Sequence, residues 1–541
     1  MKPRILIIGL DAATLDLVSG WAGGGQLPVL QKVMHDGTSC PFLSTPNMHS
    51  ASAWTSILTG LNPGRHGLFV FSDRDFVTGK VEFFTGGDRT GQLLTQHLAT
   101  HGLSSGLLNV PMTYPASCIA PGFAVSGLDA PSLNESAFSP ANLRSELLDR
   151  FPDYNFGPPG LGDLMRAGRV NEATQRWLDL IETQTAAAEY LLETRPVDFF
   201  MTVFTASDWG GHNLWPENNA KETASDDDTP LLSIYKALDR AIGRLVECAA
   251  TDATIYVVSD HGMGPHTGAS YHLAEWLENR GYMQRRRAAP SASSMVTAAR
   301  NAARRTLPTF VKEKLKAGIG ADRVKQLQSI EKDSFYSSID WERTRAYSEP
   351  GRHVININLA GRNLSGTVPP SQFDEIRDNL IADLADWTDE KGRSVVDHVV
   401  KREDVYKGPF AEKASDLYVH WNPRARFNEP PAEVQARGFW WRGDHRPHGI
   451  LVCKGPAIQA SHQISPPIVY DLVPTIMYLA GLPVPDNLDG RVILEMCGDE
   501  FRRLHPLRFE EAESADGSER AALTDTEEDV VAEKLRGLGY I

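Results

Sequence analysis

Apolar residues fall along this chain in short continuous runs rather than in strict alternation. Ile5 to Ile8, Gly106 to Val110, Phe199 to Phe204, Ile255 to Val258 and Ile450 to Val452 are each aliphatic or β-branched in character. Runs of this kind, separated by helical stretches, predict buried strands of a largely parallel sheet covered on both faces. Between them, EATQRWLDLIETQTAAAEYLLETR places Trp177, Ile181, Gln184, Ala188 and Leu192 at near-helical spacing, a mostly apolar stripe of the kind that faces a core. The pattern predicts an α/β protein.

The ends of these runs carry the chemistry. ILIIGLDAA brings Asp11, FFMTVFTASDWGGH brings Asp208 and His212, TIYVVSDHGMG brings Asp260 and His261, and GDHRPHGILVC brings His445. Asp11, Asp208 and Asp260 each come directly after an apolar run, and ligands of such sheets bind at the carboxyl ends of the strands. One aspartate there is more often a cap for the next helix. Four segments together are poorly explained that way. Imidazole mixed with carboxylate oxygen suits zinc-like cations, which can turn a held hydroxyl into a nucleophile at neutral pH. A two-metal hydrolase site around Ser50 is the expectation.

Ser50 lies in HSASAWTSILTG, where Ala51 to Leu58 reads as a helix beginning at the serine and stopping at Gly60. A helix N-terminus offers unpaired N–H groups and the positive dipole end, which suits an alkoxide or a phosphoryl oxygen. A plain N-cap is the competing role. No histidine stands at triad-like spacing to deprotonate Ser50, whereas a divalent cation can lower its pKa. His49, its immediate neighbour, is expected to point elsewhere, behind the site or toward a phosphate. His66 in NPGRHG is expected to bond backbone, and neither it nor His448 is placed in the metal set.

Composition narrows the class. Motifs running from Asp11 to His445 in 541 residues require one large fold with insertions rather than several average domains. A formal charge of −15, from 54 basic and 69 acidic side chains, argues against nucleic acid as a main partner. An anionic substrate would then need local cations, which bound metals provide. Five scattered cysteines without a CxxC indicate buried thiols, not a disulfide framework. The N-terminal apolar run is too short for a membrane span and leads straight into Asp11, so no transmembrane segment and a cytoplasmic location are expected.

Residues 1–280 are expected to form the first part of the core. From Gly281 to about Tyr347 the composition turns to Ala, Lys and Arg, predicting an inserted, mostly helical cap. It would attract an anionic substrate or make peripheral contact with acidic lipid headgroups; a solvated surface helix fits the same composition. Residues 348–500 read as a small α/β subdomain followed by the return to the core. In the 501–541 tail, a capping-box-like Thr526 to Asp529 start and a stop at Gly537 predict a short helix.

The ordered set of Asp11, Ser50 in SxxAWxSxLTGxxPxxHG, the DxxxH of Asp208 and His212, the SDHGM of Asp260 and His261, and the GxHRPxG of His445 resembles the alkaline phosphatase superfamily. It is most similar to the type I phosphodiesterase and nucleotide pyrophosphatase branch, especially its predicted phosphohydrolase or phosphomutase group, over roughly Ile5 to Ile493. The resemblance implies an alkaline-phosphatase-like sheet flanked by helices and two divalent ions, Zn2+ first and Mn2+ as the alternative. Asp208, His212 and His445 would hold one ion; Asp11, Asp260, His261 and the Ser50 oxygen would hold the other. Ser50 would attack phosphorus of a small phosphorylated substrate to give a phospho-serine intermediate.

One departure bears on specificity. Nucleotide pyrophosphatases carry a phosphate-contacting asparagine about twenty residues after the nucleophile, where HGLFVF offers Val70 and Phe71. Asn47, Asp73 and Arg74, or an arginine of the cap, are the candidates to replace it, and His49 is a further substrate-binding candidate beside Asn47 and Arg74. No CxPxR motif surrounds Ser50, which turns the reading from sulfate to phosphate esters. Phosphodiester or pyrophosphate hydrolysis leads, with a phosphomonoesterase or phosphomutase on the same ligands as the alternative. A non-hydrolytic nucleotide-binding protein is the remote one, because Gly9 is followed by Leu-Asp-Ala-Ala and not by GxGxxG.

Overall fold

The computed structural model describes residues 2–74, 81–117, 121–216, 229–286, 335–427, 429–435, 440–512 and 523–538. An eight-stranded sheet forms its centre, in the order Thr38–Leu43, His448–Lys454, Thr254–Val258, Ile5–Leu10, Phe199–Phe204, Ser105–Val110, Gly122–Ser126 and Phe138–Ser139. Ile5–Leu10 pairs in parallel with strands on both sides, Ile8 lying opposite Thr202 and Val257. His448–Lys454 enters antiparallel between Thr38–Leu43 and Thr254–Val258. All five apolar runs of the sequence are strands of this sheet. Ile5–Leu10, Ser105–Val110 and Phe199–Phe204 are buried along their whole length, as strands covered on two faces must be.

The 25-residue helix Val170–Thr194 buries Trp177, Ile181, Gln184, Ala188 and Leu192 on one side. Gln184 fits in this stripe because its Nε2 donates to the Asn155 carbonyl at 2.9 Å. The Pro230–Cys248 helix packs beside it on one face of the sheet, and Leu472–Leu479 contributes to the core of the other. The architecture is a mostly parallel sheet flanked by helices.

A second, smaller sheet runs Ala346–Tyr347, Val354–Ile357, Leu417–Trp421, Val396–Lys401, with antiparallel neighbours. Its core joins Ile355, Ile357, Leu417 and Trp421 to Leu380 and Leu384 of the Phe373–Ala385 helix. Tyr282, Met283, Phe335 and Ile339, from the two described ends of the insertion, pack into the same cluster; its stretch 287–334 lies outside the described residues. The C-terminal helix spans Asp525–Leu538. Its capping box is Thr524 with Glu527, slightly upstream of the Thr526 start expected, and Gly537 lies inside it. Among the described residues no helix is long and apolar enough to cross a membrane.

Candidate active site

Asp11 follows the Ile5–Leu10 strand at its carboxyl end, fully buried. Gly9 makes room for what holds it. A Cβ there would sit 2.6 Å from Trp54 Cη2, so the bare backbone lets the indole lie against the strand. Trp54 Nε1 then donates to Asp11 Oδ2 at 3.1 Å. Trp54 and Ser50 belong to one helix, Ser50–Thr59, closed at Gly60 in the left-handed conformation (φ 68°). Glycine adopts that conformation without a Cβ penalty. The helix therefore starts at the serine, as its sequence predicts. Its cap is His49, whose Nδ1 accepts from Ala51 N at 3.2 Å.

The other candidates converge on Ser50. Its Oγ lies 3.0 Å from His261 Nε2 and donates toward Asp11 Oδ1 at 3.3 Å. Asp208 and His212 sit one turn apart on the Ala206–Leu214 helix, which follows the Phe199–Phe204 strand. Asp260 and His261 follow Thr254–Val258, and Ala12 N donates to Asp260 Oδ1 at 3.1 Å. His445 comes from the short Gly443–Arg446 strand paired with Gly262–Pro265. Its Nε2 lies 3.3 Å from Asp208 Oδ1 and 2.9 Å from His212 Nε2.

The three imidazoles are oriented alike. Nδ1 of His212 faces Gly443 O at 3.0 Å, that of His261 faces Gly262 O at 3.2 Å, and that of His445 faces Met48 O at 2.7 Å. A carbonyl only accepts, so each Nδ1 carries the proton and each Nε2 turns its lone pair to the shared centre. Burial holds His212 below the usual histidine range and His261 well below it. His445 goes the other way: burial acts downward, but the Asp208 carboxylate outweighs it. Burial, followed by the nearby Asp208 charge, raises Asp260 to about 7, although the Ala12 N–H opposes it.

Asp208 Oδ2 and Asp260 Oδ2 are buried oxygens with no hydrogen-bond donor among the described residues. Such atoms are costly unless a cation meets them. Two sets of ligand atoms lie mutually within 4.8 Å, Asp208 with His212 and His445, and Asp11 with Asp208 and His261. The first is the trio expected from the sequence. The second puts Asp208 where Asp260 was expected, while Asp260 Oδ2 stays 3.2 Å from His261 Nε2. The donor set fits a pair of divalent cations.

The weaker candidates have other engagements. Asn47 accepts from Ser52 and Thr45 and donates to Phe69 O, bracing the loop before the nucleophile. Arg74 lies over the Tyr336 ring at 4.4 Å. His66 is buried, with Nδ1 accepting from Leu68 N, and His448 stands exposed at a strand start.

Three residues escaped the sequence reading. Asp444 is buried behind His445, where His353 Nε2 approaches it at 3.1 Å and His266 Nε2 at 3.7 Å. Trp441 sets its ring 4.6 Å from that of His212. Arg352 lies close enough for its charge to bear on His49. The signals were present: Asp444 adjoins His445, and Arg352–His353 follow a Pro-Gly turn in EPGRHV.

Acids and imidazoles gathered around the carboxyl ends of a mostly parallel sheet define an α/β protein with a candidate two-cation centre. Residues 5–449 match the family model of type I phosphodiesterase / nucleotide pyrophosphatase, and the chain belongs to that family, within the alkaline phosphatase superfamily. Among solved structures it is similar to phosphonoacetate hydrolase from Sinorhizobium meliloti 1021 in complex with phosphonoacetate. That likeness has a TM-score of 0.50 and 12% identity, over 87% of this chain and 94% of that one. It is also similar to murine ectonucleotide pyrophosphatase / phosphodiesterase 5, with a TM-score of 0.47 and 12% identity, over 89% and 96%. Arylsulfatase K of Bos taurus is 41% identical over 66 residues, 11% of this chain; the match spans only 12% of that relative's length. At 12% identity the phosphonoacetate hydrolase structure shows a shared fold alone.

Proposed function

We propose that the chain hydrolyses phosphodiesters or pyrophosphates through Ser50, with two divalent cations held by the acids and histidines around it. The observation that most supports this is the common orientation of three buried imidazoles, each with Nδ1 on a backbone carbonyl and Nε2 toward the centre. Asp208, His212 and His445 would hold one cation; Asp11, Asp260, His261 and Ser50 Oγ would hold the second. Zn2+ suits this donor set best, with Mn2+ as the alternative. When bound, such a pair supplies Lewis-acid stabilisation of developing charge and acidifies hydroxyls at neutral pH.

The chain's own groups supply position. Ser50 Oγ stands at a helix N-terminus, whose dipole favours an incoming phosphoryl oxygen. Its proton is aimed at His261 Nε2 or Asp11 Oδ1, both within reach. As the Ser50 Oγ–P bond forms, the ester P–O bond breaks and the alcohol leaves with a proton from solvent. Water then cleaves the phosphoseryl ester, restoring the hydroxyl. In this reading residues 348–500 supply the subdomain and the return to the core.

The test is nitrophenol release from bis-p-nitrophenyl phosphate and p-nitrophenyl phosphate by metal-stripped protein resupplied with Zn2+ or Mn2+. Metal-dependent turnover favouring the diester is expected. Preference for the monoester would move the protein to phosphatase or mutase chemistry, and no turnover of either with any metal would overturn the proposal.

A further inference from the structure

The smaller sheet reaches the active site through one turn, between its Ala346–Tyr347 and Val354–Ile357 strands. The turn is pinned on both sides. Gly351 N donates to Ser270 O at 3.0 Å, and His353 holds Asp444 beside His445. Gly351 adopts φ 91° with a virtual Cβ 3.3 Å from the Tyr271 ring, a conformation and a gap that suit glycine. Arg352 is thus carried by a fixed backbone.

Between this turn and the hairpin of Ser72–Arg74 with Val81–Phe83 lies a small cleft with a cavity volume of about 20 Å³. Glu349, Arg352 and Tyr336 line one wall, Ser72, Asp73 and Arg74 the other, so the carboxylates of Glu349 and Asp73 share the cleft with two guanidinium groups and both charges bear on Arg352. It adjoins the nucleophile: the Phe71 ring, next in sequence to Ser72, packs edge-on to His49 at 5.2 Å, and His49 precedes Ser50. Pockets for whole drug-sized ligands run to about 300–1,000 Å³, so this cleft takes one group of a substrate rather than a nucleobase with its sugar.

Two polar groups in it await a partner. Ser72 is 1% exposed, and its buried Oγ has no hydrogen bond among the described residues. Arg352 is engaged by Glu349 through Nε at 3.6 Å, and its terminal nitrogens bond to no described residue. A guanidinium fork of that kind matches an anion bidentately. On a chain of formal charge −15, bulk electrostatics cannot supply the attraction.

We propose that this cleft recognises the part of the substrate beyond the reacting phosphoryl group, and that it takes a second anionic group, a carboxylate or a further phosphoryl, on the Arg352 fork with Ser72 Oγ beside it. The inference rests on the phosphoesterase reading and narrows its substrates to esters with an additional negative charge. Arg74, 4.4 Å from the Tyr336 ring centroid, bridges the two walls.

Calorimetric titration of the zinc-loaded protein with propylphosphonate, 3-phosphonopropionate and propane-1,3-diphosphonate tests it. At least one of the two doubly functional anions is expected to bind tenfold or more tighter than propylphosphonate, and the larger gain identifies carboxylate or phosphoryl as the group taken. Arg352→Ala should erase the gain and Arg352→Lys restore part of it, which loss of fold would not do. Equal binding of all three, or equal weakening of all three by Arg352→Ala, overturns the subsite. If aryl phosphoesters are turned over while no gain is seen, only the subsite falls. If nothing binds and no phosphoester is turned over, the phosphoesterase reading falls and the subsite with it.

Discussion

His212 and His445 face each other through Nε2 atoms 2.9 Å apart, although each has its Nδ1 committed to a backbone carbonyl. Two imidazole lone pairs cannot meet so closely without a positive centre between them. A divalent cation between them would be such a centre. At His445 burial works against positive charge and the Asp208 carboxylate overcomes it.

Metal should therefore stabilise the fold. A ligand at one hundred times its Kd adds about 2.7 kcal/mol per site, so Zn2+ or Mn2+ should raise the melting temperature of the stripped protein by several degrees. His445→Ala should lower bound metal from two ions per chain to one, read by elemental mass spectrometry. An unchanged melting curve with both metals would refute the site.

Binding should also depend on pH. Asp260, raised to about 7 by burial and then by Asp208, must lose its proton to serve as a ligand. Apparent metal affinity should fall at least tenfold from pH 8 to pH 6, with proton uptake or release tracked by calorimetry in two buffers. The sign for the metal-free fold is opposite. Between about pH 4 and 7 the folded chain holds a proton on Asp260 that the unfolded chain has released, so this group's contribution to stability declines as pH rises through that window. Asp260→Asn should flatten that decline.

Ser50→Ala should reduce phosphoester turnover by roughly three orders of magnitude or more, in line with loss of a nucleophile, while bound metal stays near two ions per chain. Retention of most activity would show that water attacks phosphorus directly.

Gly9→Ala would place a methyl 2.6 Å from Trp54 Cη2 and 2.8 Å from Val203 Cγ2. Overpacking of this kind costs about 1–3 kcal/mol. Because Trp54 also holds Asp11, metal affinity should fall together with the melting temperature; a variant that lost stability alone would show that the indole does not position the aspartate.

The central sheet was readable because its strands are buried on both faces and so appear as unbroken apolar runs. Thr38–Leu43 was not: at the sheet edge it alternates in burial and carries Pro41, which only an edge tolerates. Asp11, Asp208 and Asp260 lie after strand ends, where such sheets present side chains, whereas Ser50 comes from a helix start and His445 from a separate two-stranded sheet. Arg352 and Asp444 were missed for a different reason. Their importance comes from the docking of one sheet against another, and a single residue in a turn carries no periodic signal of that contact.

The place of His448–Lys454 in the sheet bears on how the molecule is made. It inserts between two strands from much earlier in the chain and forms both ladders at once. Until it emerges from the ribosome, Thr254–Val258 is a bare edge, open to pairing with the wrong neighbour. The same late segment delivers His445. Closing the sheet and completing the cluster of acids and imidazoles are thus one event, later than the strands it joins, so a chain truncated before that strand would lose both its metal set and the protection of its sheet edge.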